Sequence, residues 1–219
     1  MSLPPPIREW KLCYVTDRRA LPGTAEEQTR LLLRIMEEAA DAGVDWIQIR
    51  EKDLSGRHLM QLASETVRRV AKSCRILVND RLDVAIAAGA GGVHLGEQSI
   101  TVEQARRFWG KRNASSAFLV GASTHSLQSA QAAQQAGADY VIFGSVFATP
   151  SKAAFGAPQG MDRLTSVCED VSIPVLAIGG ITLENAGECA RAGAAGVAAI
   201  RLFQEASDVK AVVRALRGQ

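Results

Sequence analysis

In the segment IQIREKD (47–53), two cations, Arg50 and Lys52, stand one residue apart where an apolar run ends. A planar guanidinium fork beside a point-like ammonium suits a phosphate-type group, the fork binding in bidentate fashion and the ammonium adding local charge. The plainer reading is a solvated cluster, or an Arg50 paired to an acid from elsewhere. In VNDRLDVA, Asn79 and Asp80 end another apolar run. Asp80 reads either as a helix N-cap or, set beside the two cations, as a carboxylate for Mg²⁺ that in turn bridges phosphate oxygens. FGSVFATPSKAAFG offers Thr149, Ser151 and Lys152 in a long loop with the composition of a flap over a polyphosphate. Its alternative is an irregular surface loop.

Two further clusters follow apolar runs: His94, Glu97 and Ser99 in GVHLGEQSI, and Ser123, Thr124 and His125 in VGASTHS. Each histidine is open to two readings, a packed structural residue or an acid–base group. No His-x-His or HExxH spacing supports zinc. In LAIGGIT, Gly179 and Gly180 let backbone N–H groups approach an anion, and GVAAIR places Ile200 and Arg201 at a similar point.

These residues need elements that bring them together, and an internal repeat supplies them. DAGVDWIQI from Asp41, AAGAGGVHL from Ala87, QAGADYVIF from Gln135 and RAGAAGVAAI from Arg191 share an Ala-Gly pair followed by a β-rich run. Glycine at the C′ position ends a helix in the left-handed conformation, so each segment reads as a helix end and a new strand. Apolar runs at 12–16, 75–79, 118–122 and 175–180 complete eight strands, separated by helical periods such as 26–40, 58–71, 127–136 and 183–192. The pattern predicts an α/β chain of the TIM (β/α)8-barrel class rather than a doubly wound sheet, because LCYVT runs into TDRRALPG with no G-x-G-x-x-G. Strand ends at the C-terminal rim should then carry the chemistry. Alternation in the second strand turns Gln48 and Arg50 toward the barrel mouth and Ile47 and Ile49 toward helices.

A chain of 219 residues, 47% apolar and 22% charged, is long enough for one large core or two small ones. We expect residues 1–10 to form a proline-rich lead-in and 11–219 a single catalytic barrel. The net charge of +2 is too small and dispersed for a nucleic-acid footprint. Cys13, Cys74, Cys168 and Cys189 form no CxxC pair and read as reduced, mostly buried residues. Without a long apolar stretch or a signal-type N-terminus, the expected location is cytoplasmic, with no membrane partner. Self-association as a homodimer stays open.

The succession YVTD, QIREKD, NDRLDVA, GVHLG, STH, FGSVFATPSK, AIGGI and AGAAGVAAI, in order over nearly the whole chain, resembles the thiamine phosphate synthase and TenI-type thiazole tautomerase superfamily. In the synthases, 4-amino-5-hydroxymethyl-2-methylpyrimidine diphosphate ionises to a pyrimidine carbocation and pyrophosphate, and the nitrogen of a thiazole phosphate captures the cation. The resemblance implies pyrophosphate binding by Arg50, Lys52, Asn79, Ser151 and Lys152, Mg²⁺ on Asp80, and pyrimidine orientation by Gln48 and Tyr14. It also implies Ser123 near the reacting centre, Thr149 near the thiazole, and thiazole phosphate on the backbone around Gly180 and Ile200. Three positions depart from the synthase pattern: Ser99 replaces a second metal-binding aspartate, Ser145 a proline and Arg201 a serine. Glu97 is then expected to reach the ion from two residues earlier. Some tautomerases carry a catalytic histidine where Ser145 stands, which makes a tautomerase the second reading. A non-catalytic binder of thiamine precursors is the third.

Overall fold

The computed structural model describes residues 10–110, 118–149 and 157–218. Eight strands, β1 (Lys11–Val15), β2 (Trp46–Ile49), β3 (Arg75–Asn79), β4 (Gly92–Leu95), β5 (Leu119–Thr124), β6 (Tyr140–Gly144), β7 (Val175–Ile178) and β8 (Gly196–Ala199), pair in sequence order, and β8 closes back on β1. Every pairing is parallel. Around this barrel run α1 (Ala25–Ala42), α2 (Gly56–Val70), α3 (Leu82–Ala87), α4 (Val102–Gly110), α5 (Leu127–Gln135), α6 (Gly160–Asp170) and α7 (Ala186–Arg191). The chain finishes with α8 (Arg201–Gln204) and α9 (Val209–Arg217), so two helices follow β8 where the repeat predicts one.

The Ala-Gly punctuation does what its chemistry predicts. Gly43, Gly89, Gly137 and Gly193 all take positive φ, at 94°, 69°, 90° and 89°, a region costly for residues with a Cβ. At the closing seam, a side chain on Gly196 would overlap the backbone carbonyl of Lys11, its partner in register. Glycine there is a condition of closure.

Strand alternation divides the apolar residues into two layers. Leu12, Ile47, Ile49, Ile76, Val78, Val93, Val120, Val141, Phe143 and Val197 face the helices, packed with Leu32, Met36, Leu59, Leu164 and Phe203. Cys13, Val15, Leu77, Tyr140, Ile142, Leu176 and Ala198 fill the barrel interior. The inner core is thus small, and its polar members gather toward the C-terminal end.

The opposite, N-terminal end is tied by carboxylates. Asp45 Oδ2 accepts the Leu12 N–H at 2.7 Å, and Asp139 Oδ2 accepts the Val120 N–H at 2.6 Å, at equivalent points of two repeats. Arg217 holds Asp45 at 2.8 Å and Arg106 holds Asp139 at 2.5 Å. Among the described residues, no helix is long and apolar enough to cross a membrane.

Tyr140 fills the middle of the barrel beside Trp46, with ring centroids 4.6 Å apart. Its register partner is Gly121, where a Cβ would overlap the phenol ring. Gly121→Ala should therefore lower the unfolding free energy measured in urea by about 1–3 kcal/mol, the usual cost of overpacking a filled core.

Candidate active site

The second strand delivers its side chains as alternation requires. Gln48, 3% exposed, lies inside the barrel and Arg50 emerges at the rim, while Ile47 and Ile49 pack outward. Between the two cations, Glu51 turns the other way and is buried. Its Oε1 accepts the Thr16 hydroxyl at 2.5 Å, and its two oxygens accept the Arg18 backbone N–H at 3.1 and 3.0 Å. Thr16 Oγ1 in turn accepts the Arg50 N–H at 2.9 Å. Burial raises the Glu51 pKa, against the pull of these donors. The knot locks the loop after β1 to the loop after β2, and with Glu51 turned inward Arg50 and Lys52 face solvent space. Both line a cavity of about 440 Å³ together with Asp17, Arg19, Ala20, Glu51 and Asp53. Among the described residues the Arg50 guanidinium has no hydrogen-bond partner, while Lys52 Nζ lies 3.9 Å from Asp80 Oδ2.

Asp80 is, among the described non-glycine residues, the one with positive φ, at 62°. It does not cap α3; Arg81 occupies that position and makes no side-chain cap, so the N-cap reading is set aside. Asp80 Oδ1 accepts the Gly96 N–H at 3.0 Å and the Ser99 hydroxyl, and Oδ2 accepts Asn79 Nδ2 at 2.6 Å. Burial pushes its pKa up, but Ser99, Gly96 and Lys52 outweigh that and hold the carboxyl below its ordinary value. The charge on Asp80 then dictates everything behind it. Asn79 must point its amide nitrogen at the carboxylate, so its Oδ1 accepts Gln48 Nε2, at 2.8 Å. Gln48 is thereby oriented with Oε1 left over, and that buried oxygen has no partner among the described residues. A buried acceptor left in this way is primed for a ligand donor.

His94 spans the interior, with Nδ1 3.1 Å from the Tyr140 hydroxyl and Nε2 2.9 Å from Ser123 Oγ. Burial lowers its pKa to about 4, the Arg50 charge adding to the effect and the Asp80 charge opposing it. The imidazole is neutral at ordinary pH. Ser123 lies within β5, which extends further than its apolar run suggests and fixes the hydroxyl on the inner face.

Other expected residues fall in several places. Tyr14 is a correction: it occupies an outward register position on the same face of β1 as Leu12, fully buried, with its hydroxyl donating to Gln204 Oε1 at 2.9 Å. The inward positions of β1 are Cys13 and Val15, so Tyr14 does not face the mouth. Glu97 is a second correction, because its Oε1 lies 3.8 Å from His125 Nε2 while Ser99, not Glu97, touches Asp80. His125 also bonds the Gly144 carbonyl through Nδ1. Gly179 and Gly180, with φ of 98° and 65°, are needed for close approach of the chain after β6: side chains there would overlap Ser145 and the Ala148 carbonyl. Ile200 precedes α8, and Arg201 is exposed at its start with no side-chain partner among the described residues. Thr149 is half-buried, while Ser151 and Lys152 lie outside the described residues. Sequence reasoning missed the Thr16–Arg18–Glu51 knot and Arg19. The only signal was Glu51 itself, an acid set between two cations.

A closed parallel barrel with cations, a carboxylate and an oriented amide pair at its C-terminal rim defines a (β/α)8-barrel enzyme. Residues 12–203 match the family model described as thiamine monophosphate synthase, and the chain belongs to that family. The thiamine-phosphate synthase of Chloroflexus aurantiacus is 38% identical over 213 residues, covering 96% of this chain and 93% of its own length. That of Methanoculleus marisnigri is 45% identical over 181 residues, covering 82% and 83%. The solved thiamine phosphate pyrophosphorylase of Pyrococcus furiosus superposes with a TM-score of 0.81 at 32% identity, covering 97% of this chain and 96% of that one.

The depressed His94 pKa links the site to stability. The unfolded chain binds the imidazole proton more tightly, so stability is complete above the ordinary value of 6.5 and falls as pH drops toward about 4. The slope should reach about 1.4 kcal/mol per pH unit at most. Urea titrations between pH 7 and 4 should show it, and His94→Gln should remove that component.

Proposed function

We propose that this protein is a thiamine-phosphate synthase, joining 4-amino-5-hydroxymethyl-2-methylpyrimidine diphosphate to thiazole phosphate with release of pyrophosphate, through a pyrimidine carbocation. The observation that carries the reading is the chain from Asp80 through Asn79 to Gln48, which ends in an unpaired buried acceptor beside two rim cations. An aminopyrimidine supplies a donor for Gln48 Oε1, and its diphosphate supplies charge for Arg50 and Lys52. As the C–O bond to the diphosphate breaks, negative charge grows on the leaving group, and fixed cations lower that barrier most when they are already in place. The Glu51 knot fixes the backbone that carries them. No strong base is needed, which agrees with a neutral His94. Ser123 lies near the reacting centre, Ser151 and Lys152 are assigned to diphosphate binding by the family motif, and Thr149 contacts the thiazole. The thiazole phosphate sits against the backbone around Gly180 and Ile200, with Arg201 adding charge.

Mg²⁺ belongs to the same reading. Among the described residues no group of three His, Cys, Asp or Glu could hold a metal alone. Asp80 with Ser99 beside it fits an ion that takes most of its ligands from water and substrate phosphates, as Mg²⁺ does. Such an ion neutralises charge on the diphosphate when bound. The free, buried Cys13, Cys74 and Cys189 suit a cytoplasmic location. Isomerisation of a carboxythiazole phosphate would leave the Lys52–Asp80 pair and the amide chain without a task.

The purified protein, given both substrates and Mg²⁺, should form thiamine phosphate, read by the fluorescence of its oxidised product. Arg50→Ala and Lys52→Ala should each lower kcat/KM by about 10²–10³, as for loss of one preorganised group that stabilises a leaving anion. Isomerisation of the carboxythiazole phosphate without condensation at any Mg²⁺ concentration would select the tautomerase instead. Binding of precursors with neither conversion would select the binder.

A further inference from the structure

His94 has one partner on each ring nitrogen, Tyr140 at Nδ1 and Ser123 at Nε2. A neutral imidazole carries one N–H, so only two arrangements satisfy the pair. In one, Tyr140 donates to Nδ1 and Nε2–H donates to Ser123 Oγ. In the other, Nδ1–H donates to the phenol oxygen and Ser123 donates to Nε2.

The two differ in what they leave buried. Tyr140 is 1% exposed and, among the described residues, has no hydrogen-bond partner other than His94. Burial keeps its phenol protonated. The second arrangement would strand the Tyr140 O–H with no acceptor, a state that native interiors avoid. The first satisfies the phenol and both ring nitrogens. It also occupies an acceptor lone pair of Ser123 and leaves that hydroxyl's own proton free at the inner end of β5. The ring cannot shift to escape this, because it is wedged beside Trp46 and against the strand at Gly121.

We propose that Tyr140 is a positioning residue which, through His94, sets the direction of the Ser123 hydroxyl so that it donates into the barrel mouth. The inference rests on the synthase reading: an O–H aimed there hydrogen-bonds the diphosphate oxygen as charge accumulates on it, with no proton transferred. A serine turned the other way would present lone pairs to the same oxygen and raise the barrier.

Two measurements test this. Long-range ¹H–¹⁵N correlation spectra of the substrate-free, ¹⁵N-labelled protein should show His94 with its proton on Nε2, and a proton on Nδ1 would overturn the proposal. Tyr140→Phe should lower kcat about tenfold with KM for both substrates changed less than about twofold, and should add no further loss to Ser123→Ala. Equal losses in the presence and absence of the Ser123 hydroxyl would mark Tyr140 as purely structural and overturn the proposal. Should Tyr140→Phe fail to fold, the wild-type tautomer decides alone. Absence of thiamine phosphate with the wild-type protein defeats the synthase reading itself, and is separable because the tautomer is read without substrates.

Discussion

The structure depends on the closure of its strand ladder. Once β8 pairs with β1, eight chain segments that are distant in sequence must all end on one ring, and side chains at those ends converge whatever their loops do. Closure has strict local requirements. Gly196 must lie against the Lys11 carbonyl, and Gly121 must leave room for Tyr140. The barrel therefore concentrates its glycines where backbones and rings crowd, and its polar residues where the ring opens.

At that opening, direction matters as much as proximity. A single carboxylate, Asp80, orients Asn79, which orients Gln48. A buried phenol does the same for His94 and Ser123 from the other side. Both chains start from a group whose polarity is fixed and end on a group with hydrogen-bonding capacity to spare. Arg50 and Lys52 are held differently: a buried glutamate fixes the backbone that carries them, the Arg50 guanidinium has no partner among the described residues, and the Lys52 ammonium lies 3.9 Å from Asp80.

Much of this was legible in the residues and part of it was not. The four Ala-Gly pairs announced helix ends because only glycine sits comfortably at positive φ, and the barrel followed. The positions of Arg50, Lys52 and Asp80 at the rim were readable because these charges directly follow the apolar runs of β2 and β3. Tyr14 was misplaced because a family role was carried onto a tyrosine whose own parity in β1 points outward. Glu97 was expected at the metal from its sequence distance alone, yet a loop side chain goes where a partner lies, here His125. The buried knot around Glu51 was hidden because an acid flanked by cations looks solvated in sequence, and only the fold shows that it faces inward.

Asp45 and Asp139, each accepting a backbone N–H from the preceding strand, secure the end of the barrel remote from the mouth. Part of the fastening thus sits at the pole opposite the chemistry. Substitutions at the rim can therefore alter the chemistry without touching the ties at the far end.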